Sequence, residues 1–224
     1  MNPHHHLHES TLMSYAAGAL SSPLSIVAGA HLEQCPHCRQ RLRDAEAIGS
    51  VLLEQTQPPA TDTRREQLRE AMLMQLVAET PMAMAESLRP MSKERPEADP
   101  DHLPVSLHPY FGTSLGDLRW RWMAPGVHCI RAEQMPLLIM LKIAPGKCLP
   151  MHSHGRSELT QILRGSYNDA LGLFAPGDVA DLDEEVEHQP VTAPGVPCIC
   201  VSALDAPLVF SGWLARKIQR FVKL

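Results

Sequence analysis

Three residues near the start of this 224-residue chain have the types and the spacing of metal ligands. They are His31, Cys35 and Cys38, in the stretch HLEQCPHC. Residues four apart share one face of a helix, so His31 and Cys35 can reach the same ion, and Cys38 returns a second thiolate around a tight turn. Zinc binds such ligands as a tetrahedron of four, and a site closed by four protein ligands is structural. The spacing therefore predicts a structural zinc site.

The fourth ligand of this zinc site is expected from the histidine-rich stretch HHHLH at residues 4–8. We favour His6, with His5 and His8 as alternatives. The histidine run can also be read as a partial purification tag or an incidental polar terminus. A redox role for the cysteine pair is disfavoured, because no thioredoxin-like βαβ pattern surrounds it.

A second ligand pattern lies in GKCLPMHSHGRSELTQILRG, residues 146–165. In an extended segment residues i and i+2 share a face, so His152 and His154 converge, while Glu158 returns on or near the next strand. His188 is the only histidine farther along the chain and is the expected fourth ligand. Three imidazoles and one carboxylate suit zinc, iron, manganese or nickel, so the ligands alone do not choose the metal. The simpler alternative is a pair of surface histidines in a turn.

Three of the six cysteines are candidate redox thiols. Cys148 lies four residues before His152, and Cys198 and Cys200 would place two sulfurs on one face of a strand. The alternative for each is a small buried apolar side chain. Without a secretory signal, cysteines are expected as thiols or ligands rather than as disulfides.

The first 80 residues have helical spacing. Apolar residues recur at intervals of three and four in four segments, and Thr63 begins the last of them. Leu68, Met72 and Leu76 would form the apolar face of this fourth helix, either as an intramolecular core or as a surface that grips a partner. Four helices this short barely enclose a core, so the module needs the zinc as a staple. Residues 81–104 contain prolines too closely spaced for helix or strand and are predicted to be a linker.

From residue 105 the pattern changes to short runs typical of strands, separated by Pro-Gly turns. The predicted strands are 118–122, 127–133, 137–143, 160–164, 171–174, 198–203 and 208–210, and 213–222 is either a closing strand or a short helix. Many short strands at regular spacing indicate a β-sandwich or barrel. We therefore predict a multidomain α plus all-β protein: a small zinc-stapled helical domain at 1–80, the linker, and a β-domain at 105–224.

Composition excludes several classes of protein. The net charge of −5 opposes nucleic-acid binding, and residues 1–104 carry all of it, with 14 acidic and 9 basic side chains. No aliphatic run approaches the ~20 residues of a membrane span, and the polar start lacks the features of a signal peptide. We expect a soluble, cytoplasmic protein of bacterial type.

The N-terminal cluster also resembles a known family. The run from His6 through YAAGAL (15–20) to HLEQCPHC (31–38) is similar to the zinc-binding anti-sigma domain. That resemblance covers about residues 4–80. It implies that helices of this module wrap a sigma factor of the extracytoplasmic-function type and block its access to RNA polymerase.

The second cluster resembles the first motif of the cupins, G-x5-H-x-H-x3-E-x6-G, at every fixed position from Gly146 to Gly165. Cupins are antiparallel β-barrels with a metal in the mouth, so zinc or another divalent metal is expected there. A zinc anti-sigma domain, a linker and a C-terminal cupin together resemble the ChrR-type anti-sigma factors.

This layout implies a negative regulator of transcription rather than an enzyme. The helical module would hold the sigma factor, and the cupin would receive the oxidative signal, singlet oxygen or an organic peroxide, that ends the sequestration. The alternative is a cupin metalloenzyme, a dioxygenase or isomerase, with a zinc-binding accessory domain. An enzyme would need polar groups around a substrate pocket, and only Arg156 and Asp178 are obvious candidates near the motif.

Overall fold

The computed structural model describes residues 3–57, 63–78, 101–206 and 208–210. Over the first two of these ranges the described residues form four helices, which confirms the predicted helical half. They are α1 (Glu9–Ala16), α2 (Ser22–Gln34), α3 (Pro36–Gln55) and α4 (Thr63–Ala78). Pro23 lies in the first turn of α2, where its missing N–H costs nothing. Most of the predicted linker and the segment 213–222 lie outside the described residues.

The C-terminal half is a β-structure, as predicted. A 3₁₀ turn (Val105–Leu107), a single-turn helix (His108–Phe111) and a second 3₁₀ turn (Leu115–Asp117) precede it. The described strands are β1 (Arg121–Ala124), β2 (Val127–Ala132), β3 (Met135–Ile143), β4 (His152–His154), β5 (Glu158–Arg164), β6 (Tyr167–Asp169), β7 (Gly172–Phe174), β8 (Val179–Leu182), β9 (Glu187–His188), β10 (Val191–Thr192), β11 (Cys198–Leu204) and β12 (Leu208–Phe210). The first strand begins at Arg121, three residues later than its predicted start.

All strand pairs are antiparallel, and they form three sheets. The largest sheet has the order β1-β2-β3-β11-β5-β8, and the two smaller ones have the orders β10-β6-β7 and β12-β4-β9. Neighbours that are distant in sequence, such as β3 and β11, pair across the fold. This topology and the cupin motif on β4 and β5 agree with the predicted cupin fold.

The two faces of the large sheet belong to different cores. On β5, Ile162 packs with Phe174 and Cys200 in an inner cluster. Leu159, three residues earlier on the same strand, faces the opposite side and belongs to an outer cluster that also contains residues of α1 and α2. Side chains alternate between faces along a strand, so one strand serves both cores.

Helix α2 is seated on this outer face. Leu24, Val27 and Ala28 are buried together with Met140 and Val201 of the sheet. Residues Met1–Ser50 and Asp101–Leu224 accordingly form one compact unit, and Val51–Pro100 form a second. The physical reason is that the short helices gain from the barrel the apolar partners that they cannot supply to each other. The domain boundaries at 80 and 104 stay a prediction.

The two glycines that bracket the cupin motif both have left-handed backbone conformations. Gly146 has a φ of 66° with open space where a Cβ would lie, and Gly165 has a φ of 69°. A Cβ at Gly165 would lie only 2.5 Å from the carbonyl oxygen of Pro197. Real Cβ atoms do not approach backbone so closely. Position 165 therefore requires glycine both for its left-handed backbone and for this close approach, whereas position 146 requires it for its left-handed backbone alone.

We therefore expect Gly165→Ala to destabilise the barrel much more than Gly146→Ala. The left-handed conformation alone costs an alanine about 1 kcal/mol, and the clash at residue 165 should raise the total to roughly 3 kcal/mol or more. Denaturant or thermal unfolding of the two variants beside the unmodified chain measures the difference. Equal shifts of the two midpoints would contradict this account of the turn.

Candidate metal centres

The predicted zinc ligands meet in the structure. The ligand atoms of His6, His31, Cys35 and Cys38 all lie within 4.8 Å of one another. The Nε2 atom of His31 lies 3.3 Å from the Sγ atom of Cys38. The Nδ1 atom of His6 lies 3.3 Å from the Sγ atom of Cys35. Two nitrogens and two sulfurs gathered in this way fit the tetrahedral donor set of zinc.

Local structure explains how the sequence brings these ligands together. His31 lies in the last turn of α2 and Cys35 directly follows that helix, so the spacing of four puts both on one side. Cys38 lies in the first turn of α3, and its backbone N–H donates to the Cys35 Sγ atom over 3.4 Å. The break between two consecutive helices therefore aims three ligands at one point, and the N-terminal segment adds the fourth.

The structure favours His6 over the two alternatives for the fourth ligand. The ring of His5 stacks on Phe174, and its Nε2 atom lies 3.1 Å from the Leu173 carbonyl oxygen. His8 is exposed, and its backbone N–H donates to Asp181. Neither residue is among the four clustered ligands.

Burial sets the protonation of this cluster. It lowers the pKa of His31 to about 4, so the imidazole is neutral at pH 7, the form that binds metal. Burial also lowers the pKa of His6. It raises the pKa of the Cys38 thiol to about 12, with the neighbouring Cys35 adding to the shift. The buried Cys38 thiol resists ionisation unless a cation compensates the charge, and a bound zinc ion is such a cation.

The second cluster lies in the β-domain, where β4 and β9 pair. His152 is directly opposite His188, and their Nε2 atoms are 3.1 Å apart. The Nδ1 atoms of the two rings contact groups outside the pair. The Nδ1 atom of His152 lies 2.8 Å from the Pro150 carbonyl oxygen, and that of His188 lies 2.9 Å from the Asp169 carboxylate. Both imidazoles thus direct Nε2 to a common point, the arrangement that a metal requires.

Glu158 is the first residue of β5 and is buried. Its carboxylate accepts a hydrogen bond of 2.6 Å from the Thr160 hydroxyl, which in turn contacts the hydroxyl of Ser202. His154 belongs to β4, where its backbone pairs with Leu208. The side chain of His154 lies outside the described part of the structure.

Sequence reasoning missed the residues that support the second cluster: Asp169, Thr160 and Ser202. Asp169 ends β6, and its side chain is fully buried against His188. Thr160 and Ser202 become neighbours only through the pairing of β5 with β11. An Asp at the end of a three-residue strand and hydroxyls on two distant strands carry no local signal, so only the strand register reveals their role.

The candidate thiols divide into two environments. Cys148 is exposed, whereas Cys198 and Cys200 are buried in the inner cluster of the barrel. Burial raises the pKa of Cys198 to about 12 and that of Cys200 well above its ordinary value. Both buried groups are therefore protonated thiols at pH 7, which are weak nucleophiles.

The anti-sigma-E factor ChrR of Cereibacter sphaeroides is 36% identical to this chain over 229 aligned positions, and the alignment covers 100% of both proteins. This chain belongs to the ChrR family of anti-sigma factors. Residues 111–206 match the family described as ChrR Cupin-like domain, and that range includes all four predicted ligands of the second cluster.

A solved structure of a ChrR protein is also similar. The crystal structure of Rhodobacter sphaeroides SigE in complex with the anti-sigma ChrR contains a chain that aligns with a TM-score of 0.70 and 31% identity, over 92% of this chain and 100% of that one. Membership of the ChrR family confirms the predicted resemblance and agrees with a regulator rather than an enzyme. Of the described helices, none combines the length and the apolarity that crossing a bilayer requires.

We expect Cys38→Ser to remove one zinc ion per chain, because the weaker oxygen ligand cannot replace a thiolate in this closed site. Metal analysis of the purified, desalted full chain measures the loss. Cys129→Ser is the matched control, since Cys129 lies on β2 outside both clusters and should leave the metal content unchanged. Full zinc content in Cys38→Ser would contradict the assignment of this ligand.

Proposed function

We propose that this chain is an anti-sigma factor that binds a sigma factor of the extracytoplasmic-function type and keeps it from RNA polymerase. The observation that carries the proposal is the full-length similarity to a named anti-sigma factor, together with the structural match to a ChrR chain captured with SigE. We further propose that it acts in the cytoplasm, where RNA polymerase works, and that it makes no direct contact with nucleic acid.

Exposed apolar side chains offer a surface for the sigma factor. On α3 these are Val51, Leu52 and Leu53, and on α4 they include Leu68 and Met72. Met72 is 64% exposed. Several large apolar side chains exposed along a helix are unusual for a protein without a partner and typical of helix-in-groove recognition. Their exposure favours the partner-binding interpretation of Leu68 and Met72 over a core one, while the side chain of Leu76 lies outside the described residues.

Zinc would have a structural role in this function. His6, His31, Cys35 and Cys38 would hold it, and the closed donor set leaves no position for a substrate. The ion would fix the angle at which α3 leaves α2, because His31 lies before that break, Cys35 at it and Cys38 after it. A partner-binding helix that is held in place loses less conformational entropy on binding.

We expect Met72→Glu to weaken the complex with the sigma factor by roughly tenfold or more, because a charge would enter the apolar contact. Affinity is measured by titrating the full, zinc-loaded chain with the small two-domain sigma factors encoded in the same genome. Gln67→Glu is the matched control: it adds the same charge at another exposed position of α4 and should bind as the unmodified chain does. Equal affinity of both variants would remove α4 from the interface, and no complex with any such sigma factor would refute the proposal.

The cupin cluster is the proposed receiver of the signal that releases the sigma factor. His152, His154, Glu158 and His188 would hold zinc or another divalent metal there, with Asp169 fixing the orientation of His188. Singlet oxygen or an organic peroxide would act at this centre or at the thiols nearby. Of the three candidate thiols, Cys148 is exposed, whereas Cys198 and Cys200 lie in the inner cluster of the barrel, with Cys200 on the same face of the sheet as Glu158.

We expect His188→Ala to form the complex normally but to keep the sigma factor bound after treatment with singlet oxygen or an organic hydroperoxide, because the centre that responds would be lost. Release is followed by separating free from bound sigma factor after exposure. His128→Ala, which changes a histidine of β2 outside both clusters, should release as the unmodified chain does. Normal release from His188→Ala would place the sensor elsewhere, and the same test on Cys148→Ser would then follow.

A further inference from the structure

We propose that Asp178, in the turn between β7 and β8, positions the His6 ligand of the zinc cluster, so that the barrel sets how tightly the cluster holds zinc. Asp178 is a positioning residue in this proposal and not itself a ligand. The inference rests on the proposed zinc site and extends it, because no part of the anti-sigma ligand pattern includes a residue of the barrel.

Asp178 is buried, with only 1% of its surface exposed, and all of its described hydrogen-bond partners are backbone N–H groups. Its Oδ1 atom accepts from His4 at 2.6 Å and from His5 at 3.0 Å. Its Oδ2 atom accepts from Ala175 at 2.9 Å, within its own turn. One carboxylate thus ties the two residues directly before His6 to the barrel. Hydrogen bonds to a charged acceptor are the strong ones, so this contact fixes the path of the N-terminal segment.

The N-terminal segment continues along β8 beyond this contact. The backbone N–H of Val179 lies 3.5 Å from the His5 carbonyl oxygen, and the Asp181 carboxylate accepts from the His8 backbone at 2.9 Å. His6 lies between these points. The barrel therefore contacts the chain both before and after His6, and these contacts position the His6 ring next to Cys35.

Gly177, which precedes Asp178, contacts His31, a second residue of the zinc cluster. The carbonyl oxygen of Gly177 lies 3.0 Å from the Nδ1 atom of His31, which leaves Nε2 of that ring facing Cys38. Ligating histidines commonly donate their second ring N–H to a carbonyl or carboxylate that sets tautomer and orientation. Gly177 has a φ of 95°, and a Cβ there would lie 3.3 Å from Pro3, so the turn fits closely under the N-terminal segment.

The same turn is bonded to β5. The N–H of Gly177 donates to the Ile162 carbonyl at 2.8 Å, and the N–H of Ile162 donates to the Asp178 carbonyl at 3.0 Å. Strand β5 begins at Glu158, the predicted ligand of the cupin centre. One strand therefore carries a ligand of the second centre and the backbone partners of the turn that orients the first. Loss of the Asp178 carboxylate should make the N-terminal segment that carries His6 more mobile. It should also disturb the turn whose Gly177 carbonyl contacts His31.

Asp178→Ala in the full chain tests this inference. Zinc affinity is measured by competition with a chromophoric chelator, and the cluster is observed separately by loading Co²⁺, whose thiolate charge-transfer absorption arises only where cysteines are ligands. We expect zinc affinity to fall roughly 10–100-fold, the usual effect of removing an outer partner of a metal ligand. We also expect the Co²⁺ spectrum to move towards that of His6→Ala, which a general loss of stability would not produce.

Two further variants keep the result decisive. Asp183→Ala removes a carboxylate of the next turn that accepts from the Glu185 backbone and is exposed, and it should bind zinc as the unmodified chain does. Asp178→Asn keeps the size of the side chain but removes its charge. It also replaces one accepting oxygen with an amide NH₂ group, which faces a backbone N–H and cannot accept from it. It should fold and show a smaller loss of zinc affinity, so it decides the question if the alanine variant does not fold.

The outcomes separate this inference from the proposed function. If the unmodified chain shows no thiolate charge transfer and no zinc in the cluster, the proposed zinc site itself fails. If the unmodified chain binds zinc, and Asp178→Ala and Asp178→Asn match its affinity and its Co²⁺ spectrum, the zinc site stands and the role of Asp178 is overturned.

Discussion

The close packing of α2 on the outer face of the barrel is the constraint on which the rest of the structure depends. Its centre is the run Ala28-Gly29-Ala30, whose alanines are fully buried. A Cβ on Gly29 would lie only 3.1 Å from the Ser106 hydroxyl oxygen. Small side chains let a helix approach its neighbours closely, and dispersion contacts then accumulate over the whole surface. His31 lies on the same helix and Cys35 directly follows it, so the packing also fixes where these two candidate zinc ligands lie.

Polar contacts around α2 reinforce this packing. Glu33 accepts hydrogen bonds from the backbone of Val105 and Ser106, and the Gln161 amide of β5 reaches the Ala30 carbonyl and Gln34. Ser21 donates to Asp205, beyond the end of β11. The contacts of Gln161 and Ser21 are buried or partly buried, so they favour one orientation of the helix, since another would leave these donors unsatisfied. The zinc cluster and the cupin fold are thus parts of one compact unit.

The sequence identified both clusters as candidate metal sites because ligand spacing is local. A spacing of four on a helix, a Cys-x2-Cys turn and a His-x-His strand each follow from the geometry of one element. The four helices and most longer strands were predicted for the same reason, since their apolar periods are read over a few residues. Strands β6 and β9, of three and two residues, were not predicted because they are too short to show a period.

Contacts between distant segments were beyond such reasoning. The sequence treated residues 1–80 as a module stapled by zinc alone, whereas the outer face of the barrel completes the core of α1 and α2. Gly177 was read as part of a Pro-Gly turn and Asp178 only as a polar residue near the cupin motif, while Asp169 lay in none of the predicted strands. Their roles arise from long-range register, which no local pattern encodes. The sequence favoured His6 as the fourth ligand, but the contacts that disfavour its two alternatives are of this long-range kind: the barrel contacts the ring of His5 and the backbone of His8.

Hydrogen exchange of the full, zinc-loaded chain, measured by mass spectrometry with and without its sigma factor, tests the central claim most directly. Exchange slows where a partner buries backbone or holds a helix against opening. If the chain is an anti-sigma factor that uses its exposed helical surface, binding should slow exchange in α4 and in the C-terminal part of α3 and leave strands β1 and β2 unchanged. Unaltered exchange throughout the helices, with a sigma factor present in excess, would contradict that account.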